Sequence, residues 1–419
     1  MKRQTLWTYD FTVITIGSFV SVVGSTLSSF ALSLVVLDYT GSTFLYILFN
    51  VAYQLPMLVC PVLAGPYLDR VSRKRVIWVL DFLSAGIYLG LFFLLRAGWF
   101  SYPVLLAGSI LTGAIGSVYG VAYDSFYPNL ITEGNFEKAY SISSLIYDLA
   151  ALTLPLASAL YQWLGSAAPL FAIDAASFFA AACFELTIRC KEKHLESASA
   201  RTGRSAAEQL RRELREGLNY IRGEKGLLMI VFYFTAVFAA GDADQLMLPY
   251  FRNHADRFAA WPVSVETLYA VLANFMVAGR LAGGVVQYKL HISKERRFAV
   301  ALAVYLVTTA LCATVLFLPA PLMAASFFLN GVLGVTSYTI RSAATQSYVP
   351  DNMRARYNGA FQMLTALGSV AGSLVIGALA EVLPERGIIV GANVLLLGAV
   401  YLFIWRGRED VKRVYNREV

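Results

Sequence analysis

The sequence is poor in charged residues, histidine and cysteine. Only 15% of its 419 residues are Asp, Glu, Lys or Arg, whereas soluble proteins carry about 25%. The three histidines lie far apart in the chain, and there is no phosphate-binding loop or nucleophile–base pair, so we expect no enzyme. The four cysteines lie within or at the end of apolar segments without metal-ligand spacing, so we expect no disulfide, metal site or cofactor.

Apolar residues, by contrast, are abundant. They make up 58% of the sequence, and the mean hydropathy is +0.59. Apolar runs of about 20 residues, long enough to cross a bilayer as a helix, recur along the chain. The sequence therefore predicts an all-α membrane protein with twelve transmembrane helices. The expected spans are 10–37, 42–68, 76–96, 101–128, 138–164, 167–189, 227–251, 262–288, 297–318, 321–349, 357–382 and 387–405.

Basic residues are distributed unequally between the loops. Nearly all of the 34 Lys and Arg residues fall on the side of the two termini, and the other side has Arg96, Arg252, Arg257 and Arg386. The positive-inside rule then predicts a multi-pass protein of the cell membrane with both termini in the cytoplasm. The net charge of +7 thus indicates topology and a lipid-bilayer partner, and we expect no nucleic-acid partner.

A long loop divides the spans into two sets of six. Aligning Tyr127 with Tyr348, each at the end of a span, also pairs Ala139 with Ala360. This internal similarity predicts two six-helix pseudo-repeats. The expected boundaries are 1–190 for the N-terminal bundle, 191–226 for a cytoplasmic linker, 227–406 for the C-terminal bundle and 407–419 for a cytoplasmic tail.

The second half of the linker has the pattern of an amphipathic helix. Leu210, Leu214, Leu218 and Ile221 recur at helical spacing, with Arg and Glu between them. Such a helix lies either on the membrane surface or against the bundle, and both placements stay open. We expect it to join the two halves as a strut.

The loop between the second and third spans carries a family motif. It resembles the signature G-x-L-A-D-R-x-G-R-K of the major facilitator superfamily, and it matches that signature at Gly65, Asp69, Arg70, Arg73 and Lys74. The resemblance implies the major facilitator fold and a gating role for the loop. Asp69 would meet helix eleven and latch the outward-facing state, while Arg73 and its neighbours would support the latch and bind anionic headgroups.

The segment Leu214–Ile221 is similar to the E-G-L-x-Y-I lead-in to helix seven of carriers related to macrolide and enterobactin exporters. The resemblance implies a monomeric secondary active transporter that exports an amphipathic small molecule (a drug, macrolide or siderophore-like metabolite) in exchange for protons, by alternating access. Two alternatives stay open. One is an uptake symporter or uniporter for an anionic metabolite, and the other is a membrane scaffold that does not transport.

Ionisable side chains within the spans are the first functional candidates, because a bilayer accepts them at a cost of several kcal/mol unless they are paired or hydrated. The candidates for proton coupling are Asp148 in the fifth span, Asp242 and Asp244 in the seventh, and Asp124 at the end of the fourth. Asp174, in the sixth span, is a further acid within the membrane. Five other acids lie near span ends, where interfacial water suffices to explain them: Asp10, Asp38, Asp81, Glu185 and Glu381.

Polar residues on the same spans are expected to line a substrate cavity. Asn50 shares a helix face with Tyr53 and Gln54, and Gln245 shares one with Asp242. The arginines of the eighth and tenth spans need a carboxylate, a carbonyl or an anionic substrate, and Asp124 is a candidate partner for the second of them. The cavity set is Asn50, Tyr53, Gln54, Tyr147, Gln245, Asn274, Arg280, Asn330 and Arg341.

Overall fold

The computed structural model describes residues 5–68, 71–132, 135–190, 192, 206–289 and 292–416. Within them, twelve helical stretches are long and apolar enough to cross a membrane. The predicted all-α fold with twelve transmembrane helices is therefore confirmed. The chain divides into two compact units, Met1–Ala207 and Glu208–Val419.

The helices of the first unit are α1 (Tyr9–Thr40), α2 (Thr43–Leu68), α3 (Arg73–Arg96), α4 (Tyr102–Phe126), α5 (Phe136–Ala151), α6 (Leu154–Leu164) and α7 (Ala168–Leu186). The second unit contains α8 (Ala206–Gly223), which begins at the boundary, and α9 (Lys225–Gly241), α10 (Met247–Asn253), α11 (Val265–Lys289), α12 (Arg297–Thr314), α13 (Ala320–Tyr348), α14 (Asp351–Ala380), α15 (Glu385–Ala399) and α16 (Arg408–Tyr415). Two predicted spans are each divided between two helices: α5 and α6 form the fifth, and α9 and α10 form the seventh.

Local signals set the ends of the first helix. The hydroxyl of Thr8 accepts a hydrogen bond from the Phe11 amide at 3.2 Å, which satisfies one of the unpaired donors at the helix start. Gly41 ends the helix with φ of 60°, a left-handed conformation that glycine adopts at least cost. Between these caps, the 32 residues of α1 are long enough to cross a bilayer.

Small residues bring the helices of the first unit close together. A Cβ added to Gly24 of α1 would lie 2.7 Å from the Asp174 carboxylate and 2.8 Å from the Ser177 Cβ, both on α7. A Cβ added to Gly113 of α4 would lie 3.2 Å from the Tyr53 Cα on α2. Glycine allows this close backbone approach, which is typical of membrane helix pairs. The α1–α7 contact also brings the acidic side chain of Asp174 against α1.

The amphipathic helix α8 packs against the second unit. A Cβ added to Gly217 would lie 2.8 Å from the Arg356 carbonyl carbon on α14, and Ile221 is fully buried in the apolar core of that unit. Of the two placements that the sequence left open, the structure shows the one against the bundle.

Ion pairs support the contact between α8 and α14. Glu216 accepts a hydrogen bond from Arg212 at 2.7 Å and pairs with Arg356 of α14 at 3.1 Å. The hydrogen bond from Arg212 lowers the pKa of the Glu216 carboxyl. These charges are exposed enough for solvent to screen them, so the apolar face contributes most of the helix's attachment.

The C-terminal tail is a second packed helix. Val411, Val414 and Tyr415 of α16 are buried in the core of the second unit, and the Tyr415 hydroxyl lies 2.7 Å from the Tyr305 hydroxyl of α12. The sequence predicted a tail at 407–419 but gave it no role in packing. The structure shows that these three residues of the tail belong to the core.

Candidate functional site

A cavity of about 570 Å³ lies within the first unit. Helix α1 contributes a line of hydroxyls at intervals of four residues, so that they share one helix face: Ser21, Ser25, Ser29 and Ser33. Five aromatic residues from other helices also line the cavity: Tyr53, Tyr88, Tyr119, Tyr147 and Phe178. Asp81 is the charged member of the described lining. The cavity is thus suited to a molecule with both apolar and hydrogen-bonding groups.

Asp81 of α3 and Glu185 of α7 form a buried acidic pair beside this cavity. Their exposed fractions are 1% and 0%, and their carboxyl groups lie within hydrogen-bonding reach of each other. The Tyr119 hydroxyl donates to Glu185 Oε1 at 3.2 Å. Asp81 and Tyr119 both line the cavity, so they connect Glu185 with it.

The sequence-based interpretation of these two acids was wrong. Interfacial water was expected to explain both, but the structure buries them between helices of the first unit. Position along a span predicts depth in the bilayer, whereas burial here depends on which helices face α3 and α7. The same interpretation agrees with the structure at Asp38 and Glu381, whose side chains are exposed.

Asp174 of α7 is held by serines. The Ser28 hydroxyl of α1 donates to its Oδ2, and the Ser177 hydroxyl donates to Oδ1 at 3.2 Å. The carboxyl is completely buried. Hydroxyl donors on both oxygens offset part of the cost of burying this polar group, and they join α1 to α7.

The sequence-predicted residues of the first unit are only partly brought together. Tyr53 and Tyr147 line the cavity, with exposed fractions of 40% and 68%. Asn50 and Gln54 are half-buried on α2 and lie outside the described lining. The proton candidates lie elsewhere too: Asp148 is half-buried on α5 and Asp124 is exposed near the end of α4.

In the second unit, Asp242 is the centre of a polar cluster. A 3₁₀ turn, Asp242–Leu246, separates α9 from α10. Asp242 Oδ2 accepts from the Ser369 hydroxyl at 2.7 Å, and Gln245 Nε2 lies 3.4 Å from Asp242 Oδ1 and 3.3 Å from Ser373 Oγ. Asp244, two residues further along the turn, is exposed.

The remaining candidates of the second unit are dispersed. Asn330 donates to the Cys312 sulfur at 2.8 Å, and Asn274 is half-buried. The Arg341 guanidinium lies 4.6–5.4 Å from the centres of three aromatic rings, a cation–π arrangement formed by Phe234, Tyr338 and Phe361. The side chain of Arg280 is exposed. In the described part of the chain, no group of three or more His, Cys, Asp or Glu residues could hold a metal ion.

The predicted gating loop is only partly described. Gly65 lies in α2, while Asp69 and Arg70 fall outside the described residues. Arg73 donates from Nη1 to the Ser125 carbonyl at 3.0 Å, and Lys74 donates from Nζ to the Ile188 carbonyl at 2.8 Å. Both basic side chains thus bind backbone within their own unit, a contact that differs from the headgroup binding expected of them.

Glu192 caps the start of α3. Its carboxylate accepts from the Ser72 hydroxyl at 2.8 Å and from the Arg73 and Lys74 amides at 2.9 Å each. An anion at a helix N-terminus satisfies unpaired amides and interacts favourably with the helix dipole. The start of α3 is therefore anchored to the chain that follows α7.

We expect Glu192→Ala to lower the free energy of unfolding by about 1–2 kcal/mol, because three donors lose their acceptor. Glu192→Gln, which keeps an acceptor oxygen, should cost less. Thermal unfolding of the purified protein in detergent measures both. Glu409→Ala, a change at an exposed glutamate of α16, is the control, and equal unfolding temperatures for all four proteins would contradict the capping role.

Two sequence relatives indicate the family. The uncharacterized MFS-type transporter YkuC of Bacillus subtilis (strain 168) is 23% identical over 288 residues, which cover 67% of this chain and 65% of that protein. Macrolide efflux protein A of Streptococcus pyogenes is 22% identical over 286 residues, which cover 68% of each chain. This chain thus aligns with about two thirds of the length of each relative.

Solved structures show the same fold. The nucleoside transporter NupG superposes with a TM-score of 0.69 at 13% identity, over 94% of this chain and 98% of that one. The peptide transporter POT in complex with sulfate gives 0.67 at 12% identity, over 96% of both chains. The model of the Major Facilitator Superfamily matches residues 14–373 and 296–419. The chain therefore belongs to the Major Facilitator Superfamily.

Proposed function

We propose that this chain exports an amphipathic small molecule from the cytoplasm in exchange for protons, by alternating access. The observation that carries the proposal is the cavity of about 570 Å³ in the first unit. Its volume lies within the range of about 300–1,000 Å³ that small-molecule sites occupy. Its hydroxyls, aromatic rings and single carboxyl complement a molecule with a large apolar body and dispersed polar groups.

The charge of the cavity bears on the kind of substrate. Asp81 is acidic, and the described lining includes neither Lys nor Arg. A neutral or cationic molecule is therefore favoured over an anion, because a buried carboxylate repels negative charge. The relative named as a macrolide efflux protein supports a drug-like or macrolide substrate over the anionic metabolite of the uptake alternative.

The distribution of basic residues supports the proposed orientation. Loops on the side of the termini hold nearly all Lys and Arg residues, which by the positive-inside rule supports cytoplasmic termini in a protein of the cell membrane. Everted vesicles then expose to the medium the face from which substrate enters during export.

The proposed function is tested with everted vesicles from cells that overproduce the chain. An acidic vesicle interior should drive the accumulation of radiolabelled erythromycin, because protons leave the vesicle as substrate enters. A protonophore should abolish the accumulation, and vesicles from cells with an empty vector supply the background. Accumulation at background level, or accumulation that the protonophore does not change, would contradict proton-coupled macrolide export.

A further inference from the structure

Two carboxyl groups of the first unit are buried against each other. The carboxyl groups of Asp81 and Glu185 lie within hydrogen-bonding reach of each other, and the buried oxygens Asp81 Oδ2 and Glu185 Oε2 receive no hydrogen bond from any donor in the described part of the chain. In the described part of the unit, neither carboxyl forms an ion pair. If both carboxyl groups were ionised, their buried oxygens would lack hydrogen-bond donors.

A shared proton explains this arrangement. Two carboxylates offer only acceptors, so a hydrogen bond between them requires that one carboxyl carries a proton. Two negative charges at this separation would also repel strongly in a buried site. The geometry therefore corresponds to a pair that holds a proton between α3 and α7.

The titratable groups around the pair are tyrosines and one further acid. Helix α4 presents Tyr119, which donates to Glu185, and Tyr123, whose ring stacks on Tyr119 at 5.9 Å. Helix α7 adds Asp174, which is held by serines, while α3 adds Tyr88 and the described cavity lining from α1 contains no titratable side chain.

The basic residues at the start of α3 bind backbone carbonyls and not the acidic pair. Arg73 and Lys74 bind the backbone carbonyls of Ser125 and Ile188, respectively. Lys74 precedes Asp81 by seven residues, which is about 10 Å along a helix. No described basic group therefore neutralises the pair directly.

The cavity gives the proton an exchange route. Asp81 lines the cavity, whereas Glu185 lies behind it and reaches it through Asp81 and Tyr119. A substrate in the cavity would therefore contact one member of the pair and change the environment of both.

We propose that Asp81 and Glu185 form a proton-binding site, and that substrate entering the cavity displaces this proton, a step that rests on the proposed function. On release, the O–H bond of the protonated carboxyl breaks and its electron pair stays on the carboxylate oxygen. Water in the cavity accepts the proton. When substrate leaves, a proton from water restores the pair.

Infrared spectroscopy of the purified full-length protein in detergent tests the proton site without any substrate. The carbonyl band of protonated carboxyl groups is followed as the pH is raised. The wild-type protein should show a band that is lost at alkaline pH, and Asp81→Asn and Glu185→Gln should each remove that component. Asp38→Asn is the matched control, because Asp38 is exposed and accepts a hydrogen bond from Tyr161 at 2.6 Å.

An unchanged wild-type band in both pair variants would overturn the proposal. Asn and Gln resemble the protonated acids in shape and charge, so both variants should fold, as size-exclusion chromatography can check. If neither folds, Glu185→Asp is measured instead. This change keeps a carboxyl but shortens its reach, so the band should shift in position, and an unshifted band would also overturn the proposal.

Transport in proteoliposomes separates this proposal from the proposed function. At equal pH on both sides, Glu185→Gln, a change outside the described cavity lining, should still exchange radiolabelled for unlabelled erythromycin, but a pH gradient should no longer drive its accumulation. Gradient-driven transport that survives in both variants would refute the pair as the coupling site. Failure of the wild-type protein to move erythromycin would contradict the proposed function, while the infrared result would still decide whether the pair binds a proton.

Discussion

Gly279→Ala is expected to prevent stable folding of the second unit, with a loss of about 3 kcal/mol or more in the free energy of unfolding. An added Cβ would overlap the Phe328 carbonyl oxygen and lie 2.8 Å from its carbon. Both atoms belong to the backbone of α13, so no side-chain rotation relieves the overlap. The two helices would have to separate and give up their close packing.

The opposite helix has the same requirement. A Cβ added to Gly331 of α13 would lie 2.8 Å from the Arg280 amide on α11. We therefore expect Gly331→Ala to be similarly harmful. Gly284→Ala is the control, since it lies on α11 with no atom within 4 Å of the added Cβ. Yield and thermal unfolding in detergent measure the effect, and equal stability of Gly279→Ala and Gly284→Ala would show that this contact is not tight.

Ser29→Trp should reduce macrolide transport at least about 10-fold while leaving the fold intact. Ser29 lies on the face of α1 that lines the cavity, and its side chain is exposed there. A Trp side chain would occupy space that the substrate needs, and exclusion from a shaped site has effects of this order. The Ser33 hydroxyl donates a hydrogen bond to the backbone carbonyl of Ser29 at 3.0 Å. Replacing the Ser29 side chain therefore leaves this hydrogen bond in place.

The matched variant is Ser29→Ala, which enlarges the cavity slightly and should transport nearly as well as the wild type. Both variants are compared in the everted-vesicle assay at equal protein content. Their unfolding temperatures should be similar to that of the wild-type protein. Full transport by Ser29→Trp would mean that the substrate does not occupy this cavity.

The fold could be predicted because hydropathy marks each span, and loop charge its orientation, from residues that are close together in the sequence. The expected third span, 76–96, corresponds to Arg73–Arg96, and the expected second, 42–68, corresponds to Thr43–Leu68. Interruptions within a span were harder to predict. The 3₁₀ turn at Asp242–Leu246 lies in a span that is apolar overall, and its polar residues Asp242, Asp244 and Gln245 do not by themselves distinguish a turn from a polar helix face.

The candidate site was less accessible to sequence reasoning. Helical spacing correctly placed Gln245 next to Asp242, because both lie on the same short segment. The pairing of Asp81 with Glu185 depends on contact between α3 and α7, which are far apart in sequence. The interval of four residues among the serines of α1 was the available signal, since it marks a polar face on an otherwise apolar helix.

The linker helix α8 and the tail helix α16 show that apolar spacing predicts which face of a helix is buried but not which surface covers it. Apolar spacing predicts that α8 buries one side, yet the surface it covers is decided by Gly217 and the backbone of α14. The residues of α16 were too few and too polar for a span. The burial of Val411, Val414 and Tyr415 follows from the apolar core that Tyr305 and its neighbours provide.

The central claim is that substrate in the cavity exchanges with a proton held by the acidic pair. Proton release on binding tests it most directly. Erythromycin is added to the purified protein in weakly buffered detergent solution, and the pH change is recorded together with binding. The wild-type protein should bind the macrolide and release protons, whereas Glu185→Gln, a change outside the described cavity lining, should bind it without release. Binding by the wild-type protein without proton release, or equal release by Glu185→Gln, would contradict the account.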